Sequence, residues 1–324
     1  MKLQQLRFFA AVAQNDLNLT AAAAKLYTTQ PAISKQLRLL ESELGFNIFV
    51  RSGRTFVKIT KGGERVLTHA LRMLREAQNI RNVSAEIKDE SRGILSIGTT
   101  HTQARYVLPP VLQQFREKYP QVQFHLHQGT AEQLAEMARM DRIDFAIVTG
   151  SRDSFPQYRL LPYYQWHRRI VVPADHPLAR SRKLSLKRLA SFPIVTYVFN
   201  FTGPSSLQEI FAQAGLRLQV ALTARDSDVI KTYVRIGLGV GIMAGVAVDP
   251  NKDRDLVSLS AAHLFPAQTT WVGFSRNAML RGYMYEFLSL MSPHLSRPVI
   301  DQAIACASQE EIDALFSSMA LPVK

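Results

Sequence analysis

The chain has 324 residues, 47% of them hydrophobic and 20% charged, and its 39 Lys and Arg against 26 Asp and Glu give a net charge of +13. That length suits two or three buried cores, and no run approaches the ~20 apolar residues that a membrane helix needs. The single cysteine, Cys306, excludes an internal disulfide framework and a cysteine-based zinc site, and it is expected to be a packing residue in a reducing compartment.

The opening MKLQQLRFFAAVAQND lacks the long apolar core of a signal peptide, so a cytoplasmic location is expected. Leu3, Leu6, Phe9, Ala10, Val12 and Ala13 form a helical stripe within it. The stretch LTAAAAKLYTTQPAISKQLRLLE then predicts two helices around a short polar joint. Thr28 and Thr29 can cap the second helix, and Pro31 lies in its first turn. Ile33, Leu37 and Leu40 fall on one face and are expected to be buried, which leaves Gln30, Ser34, Lys35 and Arg38 on the wet side. Helix-turn-helix DNA readers have this layout, because polar side chains of one helix reach base edges while Lys and Arg hold phosphates. An ordinary helical hairpin is the alternative. Thr28, Thr29, Gln30, Pro31, Ser34, Lys35 and Arg38 are the candidate double-stranded DNA contacts. Residues 1–92 carry 15 Lys or Arg against 8 Asp or Glu, a density that suits a phosphate backbone, although a solvated basic face or an anionic membrane fits it too.

Next, FNIFVRSGRTFVKIT predicts two strands flanking Ser52-Gly53, a hairpin like the wing of a winged helix-turn-helix. Arg51 and Arg54 at its tip are candidates for phosphate or groove contacts, or else surface charges. From Thr60, a candidate N-cap, apolar residues recur at Val66, Ala70, Met73, Ala77, Ile80, Val83 and Ile87. A seam so narrow on so long a helix points to pairing between chains, with packing on its own domain as the alternative. The helix is expected to end between Asp89 and Gly93.

Beyond it the pattern alternates: ILSIGTT, a helix from Leu108 to Tyr119, VQFHLHQ, a helix from Glu132 to Met140, and DFAIVTG. A second set reads RIVVPA, PIVTYVF, a helix from Ser205 to Ala214, LQVALTA, a helix from Asp228 to Ile236, and GVGIMAG. TTWVGFSR and a helix from Arg281 to Met291 complete the first set. Two α/β lobes of this kind leave a ligand cleft at their strand ends. GTTHTQARY puts Thr99, Thr100, Thr102 and Gln103 between a strand and a helix, where free N–H groups and a positive helix end attract anions. Neutral hydroxyl and amide donors there suit a sensor that releases its anion as levels fall; a capped helix start with turn chemistry is the plainer reading. Tyr164 and Trp166 lie in a connection between lobes and are either pocket wall or core.

Other signals carry less. GLGVG at Gly237 to Gly241 follows a helix and precedes a strand, the reverse of a dinucleotide loop. His101 has no catalytic partner at a suitable spacing, and His125 with His127 lacks a third metal ligand, so neither enzyme chemistry nor a metal is expected. No cofactor is called for.

The runs LYTTQPAISKQ, TTHTQARY, DFAIVT, DSDVIKTYVRIGLGVG and GYMYEFLSLMSPHL resemble the LysR-type transcriptional regulators over the whole chain, and within them the branch controlling sulfur assimilation and cysteine biosynthesis. The resemblance implies an N-terminal all-α winged helix-turn-helix at 1–59 (reading motif about 19–38), a linker and dimerisation helix at 60–92, and an α/β two-lobed effector domain of periplasmic-binding-protein type at 93–324. Lobe I is expected at about 93–163 and 265–292, lobe II at about 164–264, and a helical tail at 293–324. It further implies a homotetrameric activator that works with RNA polymerase and responds to N-acetylserine or O-acetylserine and to sulfate or thiosulfate. Sulfonate-utilisation control is the variant function; a cytosolic anion-binding protein without a DNA role is the other alternative. By analogy, Thr149 and Thr202 join Thr100, Thr102 and Gln103 around the anion.

Overall fold

The computed structural model describes residues 1–53, 55–86, 92–150, 152–181, 183–198 and 206–324, with the backbone alone for 82–86. Arg54 and Thr202, both expected at functional sites, lie outside the described residues, as does Ile87 of the predicted seam. Two compact units form, the first comprising Met1–Glu90 with the short segments Arg139–Arg142 and Asn277–Arg281.

In the first unit α1 (Leu3–Gln14), α2 (Leu19–Lys25) and α3 (Gln30–Leu44) enclose a core that includes Phe9, Ala22, Ile33, Leu37 and Leu40. Local chemistry sets their ends. Asn18 Oδ1 accepts from Ala21 N at 3.0 Å to start α2, and Thr29 Oγ1 accepts from Ala32 N at 3.4 Å to start α3. Gly45 ends α3 at φ +76°, a left-handed conformation that glycine adopts without steric cost. An antiparallel hairpin follows, β1 (Phe49–Ser52) and β2 (Thr55–Ile59). Buried Glu41 ties it to α3, since its Oε1 accepts from Ile48 N at 3.0 Å and its other oxygen pairs with Arg51.

The long helix α4 (Lys61–Glu86) begins at Thr60, whose Oγ1 accepts from Gly63 N at 2.9 Å. The predicted seam needs correction over its first half. Leu67, Ala70 and Leu71 are buried in the unit's own core, so Ala70 belongs to that core and not to an intermolecular stripe. Met73 and Ile80 are the exposed apolar residues of the series, 47% and 66% accessible.

The second unit holds two five-stranded sheets. In chain order it contains β3 (Arg92–Thr99), α5 (Leu108–Lys118), β4 (Gln121–Gln128), α6 (Ala131–Arg139), β5 (Phe145–Thr149), β6 (Tyr158–Trp166), β7 (Arg168–Pro173) and α7 (Leu186–Leu189). There follow β8 (Ile194–Tyr197), α8 (Leu207–Gln213), β9 (Val220–Ala224), α9 (Ser227–Arg235), β10 (Val240–Ala244), β11 (Leu256–Ser260), β12 (Gln268–Ser275), α10 (Gly282–Met291), α11 (Arg297–Ala305) and α12 (Gln309–Phe316). One sheet has the order β4-β3-β5-β12-β6, the other β11-β7-β10-β8-β9. The chain therefore crosses between them twice, after β6 and before β12. GLGVG is the turn from α9 to β10, with Gly237 at φ +76°.

Two strands escape the sequence pattern, β6 and β11. QYRLLPYYQW shows no alternation because β6 is buried on both faces, and Pro162 within it argues against a strand. The structure accommodates the proline beside a register shift opposite Thr270 and Trp271. Tyr164 and Trp166 are thus strand residues of the first sheet, not part of a connection, and the first crossing falls between Trp166 and Arg168 rather than at 163–164.

Candidate functional site

On the first unit, Gln30, Lys35 and Arg38 are exposed along one side of α3, Ser34 is half-buried beside them, and Ile33 and Leu37 point into the core. Thr29 is the cap of this helix and Pro31 occupies its first turn, while half-buried Thr28 closes α2 through its N–H to Ala23 O at 3.0 Å. The helix presents amide, hydroxyl and cationic groups to the solvent, a set able to meet base edges and phosphates. Arg51 differs from its expected role. Its guanidinium pairs with Glu41 and lies 5.0 Å over the Phe56 ring, so it braces the hairpin instead of standing free for a phosphate. Lys58 remains exposed on β2.

The TTHTQ stretch of the second unit leaves β3 and enters a helix whose first full turn, Gln103–Val107, is wound as a π-helix before α5. Such turns recur at functional sites because they re-aim side chains. Buried Gln103 accepts at Oε1 from Tyr164 O–H at 2.9 Å. Tyr164 is opposite Thr270 across β6 and β12, and Thr270 is opposite Thr149 across β12 and β5, with the two threonine hydroxyls 2.8 Å apart. Gln103, Tyr164, Thr270 and Thr149 form a polar row across β6, β12 and β5 near one end of the first sheet. Burial pushes the Tyr164 hydroxyl up to about 12, against the hydrogen bonds at Thr270 and Gln103, so it stays a protonated donor. Thr100 is half-buried at the end of β3. Trp166 is buried two residues beyond Tyr164, and its indole N–H has no hydrogen-bond partner among the described residues.

Thr102 faces the other lobe. Its Oγ1 is 3.0 Å from Ser227 Oγ at the start of α9, and Ser227 is 2.7 Å from the hydroxyl of fully buried Tyr197 on β8. Beside this chain the lobes meet at Asp228, which accepts from Tyr106 O–H at 2.6 Å and pairs with Arg105 Nε at 2.7 Å. Lys231 Nζ donates to Tyr106 OH at 2.9 Å, to Ala247 O at 3.1 Å and to Asp253 at 2.8 Å. Desolvation works against the Asp228 carboxylate, but the Tyr106 hydrogen bond, Lys231, His101 and Arg105 outweigh it and hold its pKa below the usual range. Burial likewise opposes the Lys231 ammonium, and Asp253 and Tyr106 more than compensate, so its pKa is raised.

Ser227, Tyr197, Thr270, Tyr106, Asp228 and Lys231 were not among the expected site residues. The run RDSDVIK carried a usable signal, since it places Asp226, Ser227 and Asp228 between a strand and a helix just as TTHTQ does. His101, Asp226 and Asp228 also bring three potential ligand atoms within 4.8 Å of one another. Asp226 caps α9 through Val229 N at 2.8 Å, and Asp228 accepts from Tyr106 and pairs with Arg105.

A winged helix-turn-helix followed by a long helix and a two-lobed α/β domain with a polar cleft is the build of a ligand-sensing DNA-binding regulator. Comparison with known proteins gives the family. Residues 3–64 match the bacterial regulatory helix-turn-helix protein model of the lysR family, and residues 88–296 match the LysR substrate binding domain. The chain is 43% identical over 324 residues, all of both chains, to the HTH-type transcriptional regulator CysB of Haemophilus influenzae. It is 40% identical over 313 residues to the regulator cbl of Escherichia coli K12, covering 97% of this chain and 99% of the relative. The crystal structure of the cofactor-binding domain of the Cbl transcriptional regulator superposes with a TM-score of 0.62 at 39% identity, covering 66% of this chain and 95% of that one. The chain belongs to the LysR family of transcriptional regulators. These relatives are named as regulators, not enzymes, and among the described residues no helix is long and apolar enough to cross a membrane.

Proposed function

We propose that this regulator activates genes of sulfur assimilation and cysteine biosynthesis from the cytoplasm, working with RNA polymerase as a homotetramer. Its reading helix contacts promoter DNA through Gln30, Ser34, Lys35 and Arg38, with Arg54 and Lys58 of the wing on the backbone. Its effectors are N-acetylserine or O-acetylserine and a sulfur oxyanion, sulfate or thiosulfate. The observation that supports this reading is the run of hydroxyl and amide groups beside the ends of β3 and β5, Gln103 bonded to Tyr164 and Thr149 to Thr270; Thr100, Thr102, Gln103 and Thr149, with Thr202 added by family resemblance, are the set assigned to a small tetrahedral or carboxylate anion. Thr102 bonds across to Ser227, so an anion that takes over the Thr102 hydroxyl changes the contact between the lobes. Effector binding then shifts the balance between two lobe arrangements by its difference in affinity for them.

Titration onto a sulfur-assimilation promoter and a scrambled duplex, with and without N-acetylserine, sulfate and thiosulfate, tests the reading. Promoter-selective binding reshaped by these ligands is the expected result; equal binding to both duplexes overturns it. The family resemblance carries a second reading, control of sulfonate utilisation, and the identity to cbl is close to that with CysB. Selective DNA binding indifferent to acetylserine favours that second reading.

A further inference from the structure

The outer edge of β6 has no neighbouring strand in its sheet, yet its main chain is closed off by the C-terminal segment. Gln309 imitates a strand residue, its Nε2 donating to Leu160 O at 2.8 Å while its Oε1 accepts from Leu160 N at 3.0 Å. His294 Nε2 lies 2.8 Å from Pro162 O. Further along, Gln165 N donates to Pro322 O and Lys324 N donates to Gln165 O, each at 2.9 Å. This last pair seats the Lys324 side chain at the irregular part of β6. Its Nζ donates to Tyr163 OH at 3.0 Å and lies 4.7 Å and 5.0 Å from the Tyr163 and Tyr164 ring centroids.

That ammonium is in an unusual place. Lys324 is exposed as a residue, but its ammonium leans on the two tyrosines, and a cation held against apolar surface ordinarily has a carboxylate for company because desolvation disfavours its charge. Here the side-chain contacts are one hydroxyl and two aromatic faces, and desolvation lowers the Lys324 pKa. The two tyrosines are fully buried and meet edge to face at 4.8 Å, and Tyr164 hands its proton-donating hydroxyl to Gln103. We infer that Lys324 is a positioning residue of the anion site, orienting Gln103 through Tyr163 and Tyr164 and supplying the positive potential that the neutral donors lack. A cation over a phenol ring is attracted to its π-face and polarises its O–H, which strengthens the bond to Gln103. The inference rests on the effector reading of that site.

Calorimetric titration of sulfate and of thiosulfate into the full-length protein tests it with three variants. Lys324→Met keeps most of the stem and removes the charge; its affinity for both anions is expected to fall about tenfold, the scale of one unit charge acting across an aromatic ring in a protein-like dielectric. Lys324→Arg restores the charge and is expected to recover binding to within about threefold. Tyr163→Phe removes only the acceptor of Nζ, and an intermediate loss is expected. The thermal midpoint and the affinity for promoter DNA without ligand stay at wild-type values in all three. Wild-type affinity in Lys324→Met overturns the inference, as does equal loss in Met and Arg variants, which marks a structural strap only. Should Lys324→Met fold poorly, unchanged affinity in Tyr163→Phe is the overturning result. Failure of the wild-type protein to bind either anion overturns the effector reading instead, before any variant is compared.

Discussion

On the proposed effector reading, ligand and lobe contact compete at Thr102, because one hydroxyl cannot keep its present geometry to Ser227 and also serve an anion in full. Thr102→Val is nearly isosteric and is expected to weaken sulfate binding by about 1.5–3 kcal/mol, the usual worth of a hydrogen bond to a charged group. Calorimetry on the wild type and the variant checks this, and a loss below about 0.5 kcal/mol removes Thr102 from the site. Asp228 makes a pH-dependent prediction. Its carboxyl pKa is lowered in the folded protein, so its contribution is fully present above the unfolded carboxylate value near 4 and is lost as pH falls through the lower folded value. The group is about one-third exposed, so Asp228→Asn is expected to cost about 1 kcal/mol or less at neutral pH. Urea unfolding from pH 7 to pH 3 is expected to show wild type and variant converging at the acid end; a constant difference contradicts the assigned network.

At the level of elements, the contact between α4 and the hairpin is governed by one glycine. A Cβ on Gly63 would stand 2.2 Å from Ile48 O and 2.8 Å from Ile59 Cγ2, closer than atoms can pack, so the helix start must shift in Gly63→Ala. The expected cost is about 1–3 kcal/mol, typical of overpacking, read as a lower unfolding midpoint of the first unit with weaker promoter binding. On α3 the structure supports a different readout. Arg38 is exposed and a candidate phosphate contact, so Arg38→Ala is expected to reduce the slope of log affinity against log salt by about 1. Base-edge contacts by Gln30 instead predict relaxed specificity at one position in Gln30→Ala. The helices were legible because caps and apolar spacing are local: Thr29 caps α3 and Pro31 lies in its first turn, as their chemistry places them. Strand β6 was not, since both of its faces are covered and its register break accommodates a proline, which no local rule announces.

For the molecule as a whole, the same logic separates what α4 spends on its own core from what it leaves for a partner chain. Leu67, Ala70 and Leu71 are used within the unit, and exposed Met73 and Ile80, seven residues apart, fit a seam between two such helices. Ile80→Glu is expected to shift the oligomer toward monomer in analytical ultracentrifugation while leaving the folded content by circular dichroism intact. Unchanged mass at micromolar concentration rules this seam out. The effector domain shows the limit of sequence reading from the other side. TTHTQ, DFAIVT and the aromatic pair were visible as separate stretches, and Tyr164 proved to be joined to Gln103 while Thr102 was joined to Ser227, a residue 125 positions away.

Sequence alone determined the helix-turn-helix, the long helix after it, the α/β alternation and the polar loop, because periodicity, capping and charge act over a few residues. Tertiary structure decided which cations are already taken and which donors converge. Arg51 turned out to brace Glu41 ten residues away, Ala70 to fill its own core, and Lys324 to lie on Tyr163, 161 positions earlier in the chain. Burial and electrostatic pairing depend on what packs against a side chain, and only the folded chain brings those neighbours together.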